Sequence, residues 1–258
     1  MTPDRCDPVS AVTSSIVDAL TTGTCVVGID VDGVLAPIVT HADQATIPTE
    51  VLDTVHALAT TCRVAIVSGR SVDDLDRFGF ADTLAVFGSH GGQRRHHDDH
   101  ELDASEQMRR DQVIAACGAA ATECGPGAWV ENKPHGAVLH WRECTSADAQ
   151  HVARRLIDDL SSRAEIWVTT GHHVVEATVR HASKATAMRA LASEVDARCM
   201  IYLGDDRTDE DVFAVMSPTD IGIHVGSGDT LARMRLASPT EVAECLRAVV
   251  DHFGITTG

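Results

Sequence analysis

The sequence predicts an α/β fold: a parallel sheet covered by helices on both faces, with an α+β segment inserted into it. Three observations carry that reading. The runs CVVGI (25–29), VAIV (64–67) and MIYL (200–203) are rich in Val or Ile, end in Gly, Ser or Asp clusters and precede helix-like stretches, as buried parallel strands do. Strand then alternates with helix along both ends of the chain. Between about residues 105 and 178 the texture changes to paired strands separated by longer helices.

In chain order, helices are expected over 49–59 and 71–78, a strand at LAVF (84–87), helices over 183–195 and 208–216, a strand at DIGIHV (220–225) and a closing helix over 239–251. The middle segment reads as a helix (106–123), strands over 128–133 and 136–142, a helix (148–160), and strands over 165–169 and 173–178. In the second of these strands Ala137, Leu139 and Trp141 share one face and His140 and Arg142 the other, as a period of two requires. The expected organisation is a discontinuous core, 1–104 and 179–258, carrying one inserted lid, 105–178.

Composition narrows the function. Lys plus Arg is 21 against 38 Asp plus Glu, a formal charge of −17, and a field of that sign repels nucleic-acid backbones and anionic lipid. An acidic protein that takes an anionic substrate must concentrate positive charge locally. No stretch reaches the ~18 consecutive apolar residues of a membrane span, and the first ten residues lack the layout of a secretory signal. A cytoplasmic protein, monomeric, with no nucleic-acid or membrane partner, is the expectation. The eight cysteines form no C-x-x-C pair and read as reduced, structural thiols. The tract with His96, His97 and His100 is polar throughout and reads as a solvated loop.

The chemistry gathers where strands end. The first strand runs into Asp30 and Asp32, with Gly33 following, and ligands of open α/β sheets bind outside the carboxyl ends of strands. Two acids so close are tolerable at full ionisation beside a hard divalent cation; the plainer reading is a strand end and a capped turn. The second edge, Ser68-Gly69-Arg70, offers a hydroxyl for a phosphoryl oxygen, while Ser71 with Asp74 makes a helix-start pattern that explains the loop without function. At the third edge, Gly204-Asp205-Asp206, Thr208 with Asp211 makes a capping pattern that accounts for Asp209 and its neighbours and leaves Asp205 and Asp206 before the cap. Lys184 follows Ser183, a good N-cap, and opens a helix, a pairing of ammonium and free N–H groups that suits phosphate. Carboxylates, a hydroxyl, a lysine and a cation site are together the inventory of phosphoryl transfer.

The order D-x-D-G-V, S-G-R, a lone Lys and G-D-D-x-x-D resembles the four motifs of haloacid-dehalogenase (HAD) superfamily phosphatases, which implies a Rossmann-like parallel-sheet core. The resemblance implies Asp30 as nucleophile and Asp32 as general acid and base. It also implies that Ser68 and Lys184 hold the phosphoryl group, that Gly69 and Arg70 join Ser68 in contacting the substrate, and that Mg²⁺ sits on Asp30, the Asp32 carbonyl and Asp205, with Asp206 and Asp209 supporting the metal or Lys184. The lid follows the second motif, as in sugar phosphatases of this superfamily.

A narrower likeness spans nearly the whole chain. DVDGVLAPI (30–38), GSHGG (88–92), VENKPHGAVLHWR (130–142), VTTGHHVVE (168–176) and YLGDDRTDEDVF (202–213) look like trehalose-6-phosphate phosphatases. That implies a sugar-phosphate substrate, with Glu131, Lys133, His140, Arg142 and Glu176 as sugar contacts. Two departures stand out: Val34 occupies a position commonly Thr, and Thr178 stands where the family has Arg, with Arg180 offset from that place. They leave open another disaccharide-like or pseudo-disaccharide phosphate. A receiver-like phosphoacceptor, which also pairs acids with a lysine, is the competing reading from another class.

Overall fold

The computed structural model describes residues 7–39, 41–96, 102–180 and 182–255. Its elements run α1 (Pro8–Thr22), β1 (Cys25–Ile29), α2 (Thr49–Leu58), β2 (Arg63–Val67), α3 (Val72–Asp76), β3 (Ala85–Gly88) and β4 (Gln93–Arg94). They continue with α4 (Ala104–Cys124), β5 (Trp129–Lys133), β6 (Gly136–His140), α5 (Ala149–Ser161), β7 (Trp167–Gly171) and β8 (Val174–Thr178). The chain closes with α6 (Lys184–Glu194), β9 (Cys199–Gly204), α7 (Arg207–Ala214), β10 (Ile221–Val225), β11 (Met234–Leu236) and α8 (Pro239–His252). Contacts divide it into two compact units, residues 1–97 with 182–258, and residues 98–181.

The first unit holds a seven-stranded sheet in the order β11-β10-β9-β1-β2-β3-β4, parallel except for the last pair. Alternate residues of each strand feed opposite cores. Val27, Ile29, Ile201 and Leu203 join the cluster beneath α1, α2 and α8, while Val26, Met200 and Tyr202 join the one that includes Ala185, Met188 and Leu191 of α6 and Phe213 of α7. Such two-sided burial produces near-continuous apolar strands instead of alternating ones. α8 starts where Ser238 caps and Pro239 occupies the first helical position, where a missing N–H costs nothing.

The second unit is a four-stranded antiparallel sheet, order β5-β6-β8-β7. α5 buries Ala149, Val152, Ala153, Leu156 and Leu160, one stripe of a 3.6-residue period. With Val113, Cys117 and Cys124 of α4 they cover one face of the sheet through Ala137, Leu139, Val175 and Ala177. Asp103 and Glu106 close α4 with a reciprocal capping box.

Several expectations need correction. α1, β4 and β11 were not foreseen from the sequence. The helix expected over 71–78 is the short α3, and the one expected from Thr208 starts at Arg207, capped by Asp206. β6 ends at His140, so Trp141 and Arg142 lie beyond it in a turn. Among the described residues, Cys25, Cys62, Cys117, Cys124, Cys144, Cys199 and Cys245 are free thiols, and burial pushes Cys62 up to about 12 and Cys117 to about 11. His97, His100 and Cys6 lie outside the described residues; His96 Nε2 sits 3.0 Å from Asp82. Among the described residues no helix is long and apolar enough to cross a membrane.

Candidate active site

Register brings the motifs to one edge of the first unit's sheet. β1 lies between β9 and β2, with Ile29 opposite Leu203 on one side and Ile66 on the other. Asp30, Ser68 and Asp205 follow directly at the carboxyl ends of these three strands. Asp30 stays in line because its N–H donates to Leu203 O at 3.0 Å. The chain then curls: Leu35 and Ala36 N–H both donate to Val31 O, and Gly33 N–H donates to Ala36 O. Val31, Val34, Leu35 and Ala36 are all buried beneath this curl, which gives Val34 a packing role. Gly33 has φ +76°, and a Cβ there would stand 1.9 Å from Asp205 Oδ2. Only glycine meets both demands.

Lys184 is the hub. Its side chain is 1% exposed, and Nζ donates to Asp30 Oδ2 at 2.7 Å and Asp209 Oδ1 at 2.9 Å, with Asp206 Oδ1 at 3.8 Å. Ser183 caps α6 as the sequence predicts, accepting from Thr186 N, and so starts the helix where the lysine can point inward. Asp209, wholly buried, is saturated: Oδ1 also accepts from Tyr202 OH at 2.6 Å, and Oδ2 from the Asp205 and Asp206 N–H groups at 2.9 and 3.0 Å. A Cβ at Gly204 would fall 2.2 Å from the Asp209 carboxyl carbon, so the strand's last residue must be glycine for this carboxylate to fit. Asp206 Oδ1 accepts from Thr208 and Asp209 N–H and caps α7.

Charge at this edge exceeds its neutralisation. Burial lifts the Asp30 carboxyl to about 8, against the pull of the Lys184 ammonium and with Asp209 adding to the rise. Asp205 is lifted to about 7, first by burial and then by Asp209 and Asp206. Burial disfavours the Lys184 charge, yet Asp30, Asp209 and Asp206 outweigh it and hold its pKa above the ordinary lysine value. One ammonium cannot balance this many acids, so the edge favours a bound proton or cation. Asp30, Asp205 and Asp209 each offer an oxygen within 4.8 Å of the others. Asp209 already spends its oxygens on four donors, so a hard cation would rest on Asp30 and Asp205, and an all-oxygen donor set of this kind fits Mg²⁺.

Asp32 stands apart from that hub. Arg70 grips it with Nε at 2.6 Å from Oδ2 and Nη2 at 2.7 Å from Oδ1, a bidentate fork. The arginine side chain is 8% exposed and the aspartate's 40%, so Asp32 is held on one edge and open on the other. Arg70, expected to contact substrate, here binds a carboxylate. Ser68 is buried, and its Oγ accepts from Arg70 N–H at 3.2 Å, which leaves its own proton to donate. Gly69 lies against the His90 ring, whose Cε1 would be 2.6 Å from a Cβ.

In the second unit, strand pairing sets Glu131 opposite Val138 and Val138 opposite Glu176, with Lys133 one pair along. Lys133 Nζ lies 3.3 Å from Glu176 Oε1, and His140 Nε2 lies 3.1 Å from Glu131 Oε2. The His140 hydrogen bond holds the Glu131 carboxyl below its usual range. Four of the five predicted sugar contacts therefore share the face that α4 and α5 leave open, while Arg142 is exposed in the turn after β6. Thr178 Oγ1 donates to Arg180 O at 2.9 Å, and Arg180 is forked on Glu106 of α4 at 2.9 and 2.8 Å. Trp129, absent from every motif above, stacks on His140; only the β5–β6 register places the two together.

Structures of similar fold include a HAD subclass IIB sugar phosphatase, 12% identical, aligned over 90% of this chain and 100% of that one with a TM-score of 0.60. Fold and site, with the relative and the family match given below, define a phosphoric monoester hydrolase of the HAD type. The trehalose-6-phosphate phosphatase of Aspergillus fumigatus has the same fold at 24% identity, covering 93% and 97% of the two chains with a TM-score of 0.71. The trehalose-6-phosphate phosphatase of Escherichia coli (strain K12) is 31% identical over 233 residues, 85% of this chain and 84% of that one. The trehalose-phosphatase family matches residues 29–240, and the chain belongs to it.

Proposed function

We propose that the protein hydrolyses trehalose 6-phosphate to trehalose and inorganic phosphate in a Mg²⁺-dependent reaction that passes through an aspartyl phosphate, an acyl phosphate on Asp30. The observation that carries it is the Lys184 ammonium fixed between Asp30 and Asp209, with Asp205 beside them. A carboxylate so held is aimed, and the ammonium offsets its repulsion from a phosphate dianion. Mg²⁺ on Asp30, the Asp32 carbonyl and Asp205 would add further positive charge where the phosphoryl oxygens lie. Asp30 attacks phosphorus while Asp32, from its open edge, gives a proton to the departing sugar oxygen. Asp32 then takes a proton from the water that cleaves the acyl phosphate on Asp30. Ser68 donates to a phosphoryl oxygen, and Arg70 keeps Asp32 oriented.

The second unit serves as the cap, with Glu131, Lys133, His140 and Glu176 as partners for sugar hydroxyls. Paired polar groups discriminate strongly, because a missing hydroxyl strands a buried partner. Thr178, with Arg180 tied to Glu106, favours a second reading in which the substrate is another disaccharide-like phosphate.

Phosphate release from trehalose 6-phosphate, glucose 6-phosphate and sucrose 6-phosphate, each with and without Mg²⁺, decides between them. We expect trehalose 6-phosphate to be the best substrate, turnover to need the metal, and Asp30→Asn to lower kcat by about 10⁴-fold or more. Substantial metal-dependent turnover by that variant removes Asp30 as nucleophile, and a faster rate with sucrose 6-phosphate selects the second reading.

A further inference from the structure

Trp129 begins β5 directly opposite His140. The two rings stack with centroids 3.9 Å apart and planes 3° from parallel. At this separation the two rings are in face-to-face contact. The imidazole in turn is tied by Nε2 to Glu131, so a carboxylate fixes the histidine and the histidine fixes the indole. Yet Trp129 is 52% exposed. One face of a large apolar ring is therefore locked in place while the rest of the ring meets solvent, at a position where burial would be the favourable course.

What surrounds the indole says what it is for. Strand register puts Trp129, Glu131 and Lys133 on the same face as His140, Glu176 and Thr178, with α4 and α5 packed on the reverse. The Lys133–Glu176 pair is nearly buried, at 13% and 15% exposure. A rigid aromatic plane beside carboxylates and an ammonium suits a ligand with a flat C–H surface and a rim of hydroxyls. A pyranose ring has both features: axial C–H bonds lie against the aromatic face, and equatorial hydroxyls reach the charged neighbours. A phosphate group or a peptide would use the charges and leave the ring unexplained.

We propose that Trp129 is the stacking platform for a glucosyl ring of the substrate, a specificity residue held in place by the His140–Glu131 pair. This rests on the sugar-phosphate reading above and deepens it. Stacking on a ring remote from the phosphorus is made equally in the ground and transition states, so it acts on KM and not on kcat.

The test uses the full chain with two substrates, trehalose 6-phosphate and 4-nitrophenyl phosphate, which has no sugar. For Trp129→Ala the ratio of the trehalose 6-phosphate KM to the aryl phosphate KM rises about tenfold, with kcat for the sugar held within about twofold. Trp129→Phe, which keeps an aromatic face, recovers most of the loss. An unchanged ratio overturns the proposal. So does a parallel rise for both substrates with a lowered melting temperature, which marks a structural role. If the wild type cleaves the aryl phosphate and not trehalose 6-phosphate, the substrate reading fails, and the platform is then judged by trehalose alone. A trehalose-dependent change in tryptophan emission that vanishes in Trp129→Phe supports it, and no change overturns it.

Discussion

At the scale of single residues, Asp209 shows how the site is held. Its two oxygens accept from Lys184, Tyr202 and two backbone N–H groups, and no part of it reaches solvent. An asparagine has the same shape, but its NH₂ end must face donors, either Lys184 with Tyr202 or the two amides. Breaking one member of a buried ion pair costs about 3–5 kcal/mol. Asp209→Asn should lose stability of that order in urea unfolding, with turnover falling as Lys184 loses its anchor; a loss below about 1 kcal/mol would mean that the carboxylate is not a buried support. The spacing D-x-x-D marks this residue, and the motif resemblance gave it the support of the metal or Lys184; what the sequence did not show is how it packs. Both Thr208–Asp211 and Asp206–Asp209 fit a helix-start pattern, and only the packing of Asp209 against Gly204, Tyr202 and Lys184 decides for the second. The partner of Arg70 was out of sight for a related reason: SGR points to a substrate contact, and the carboxylate that Arg70 holds sits thirty-eight residues upstream.

Elements show a different balance. β1, β2 and β9 were plain in the sequence because burial on both faces leaves unbroken apolar runs. β11 has three residues and offers too little pattern to find. α1 escaped because its Ser and Thr content weakens helix propensity, although Pro8 at its start and the spacing of Val12, Ile16 and Val17 were there to be read. The start of α4 carries a pH-dependent fastening. Glu106 accepts the Arg180 fork and also the Asp103 N–H, and the arginine, first among these, brings its carboxyl down to about 2. A folded-state pKa below the unfolded one stabilises above the unfolded value and is lost as pH falls through the folded value. The contribution is thus full above about pH 4.5 and gone near 2. Glu106→Gln should lower the melting temperature at pH 6 and make little difference at pH 2.5; equal differences at both values would rule out the ion pair as the cause.

For the molecule as a whole, the net charge of −17 and the crowd of acids at one sheet edge make cation binding a stability term. A ligand that binds only the folded state adds about 2.7 kcal/mol at 100 times its Kd. Mg²⁺ should therefore raise the melting temperature beyond what NaCl of matched ionic strength achieves, and Asp205→Asn should abolish that excess. An equal rise with either salt would indicate general screening and no site on Asp30 and Asp205.

The core's two halves are separated in the chain by the whole second unit. β1 pairs with β9, so Cys25 waits for Cys199, and Asp30 waits for a lysine 154 residues later. Domains form as units while the ribosome works from the N-terminus. The second unit is continuous in the chain and is made while β1 still lacks β9 beside it. A half-made chain thus carries Asp30 without the lysine that later holds it, and the edge that gathers Asp30, Lys184 and Asp205 is completed late in synthesis.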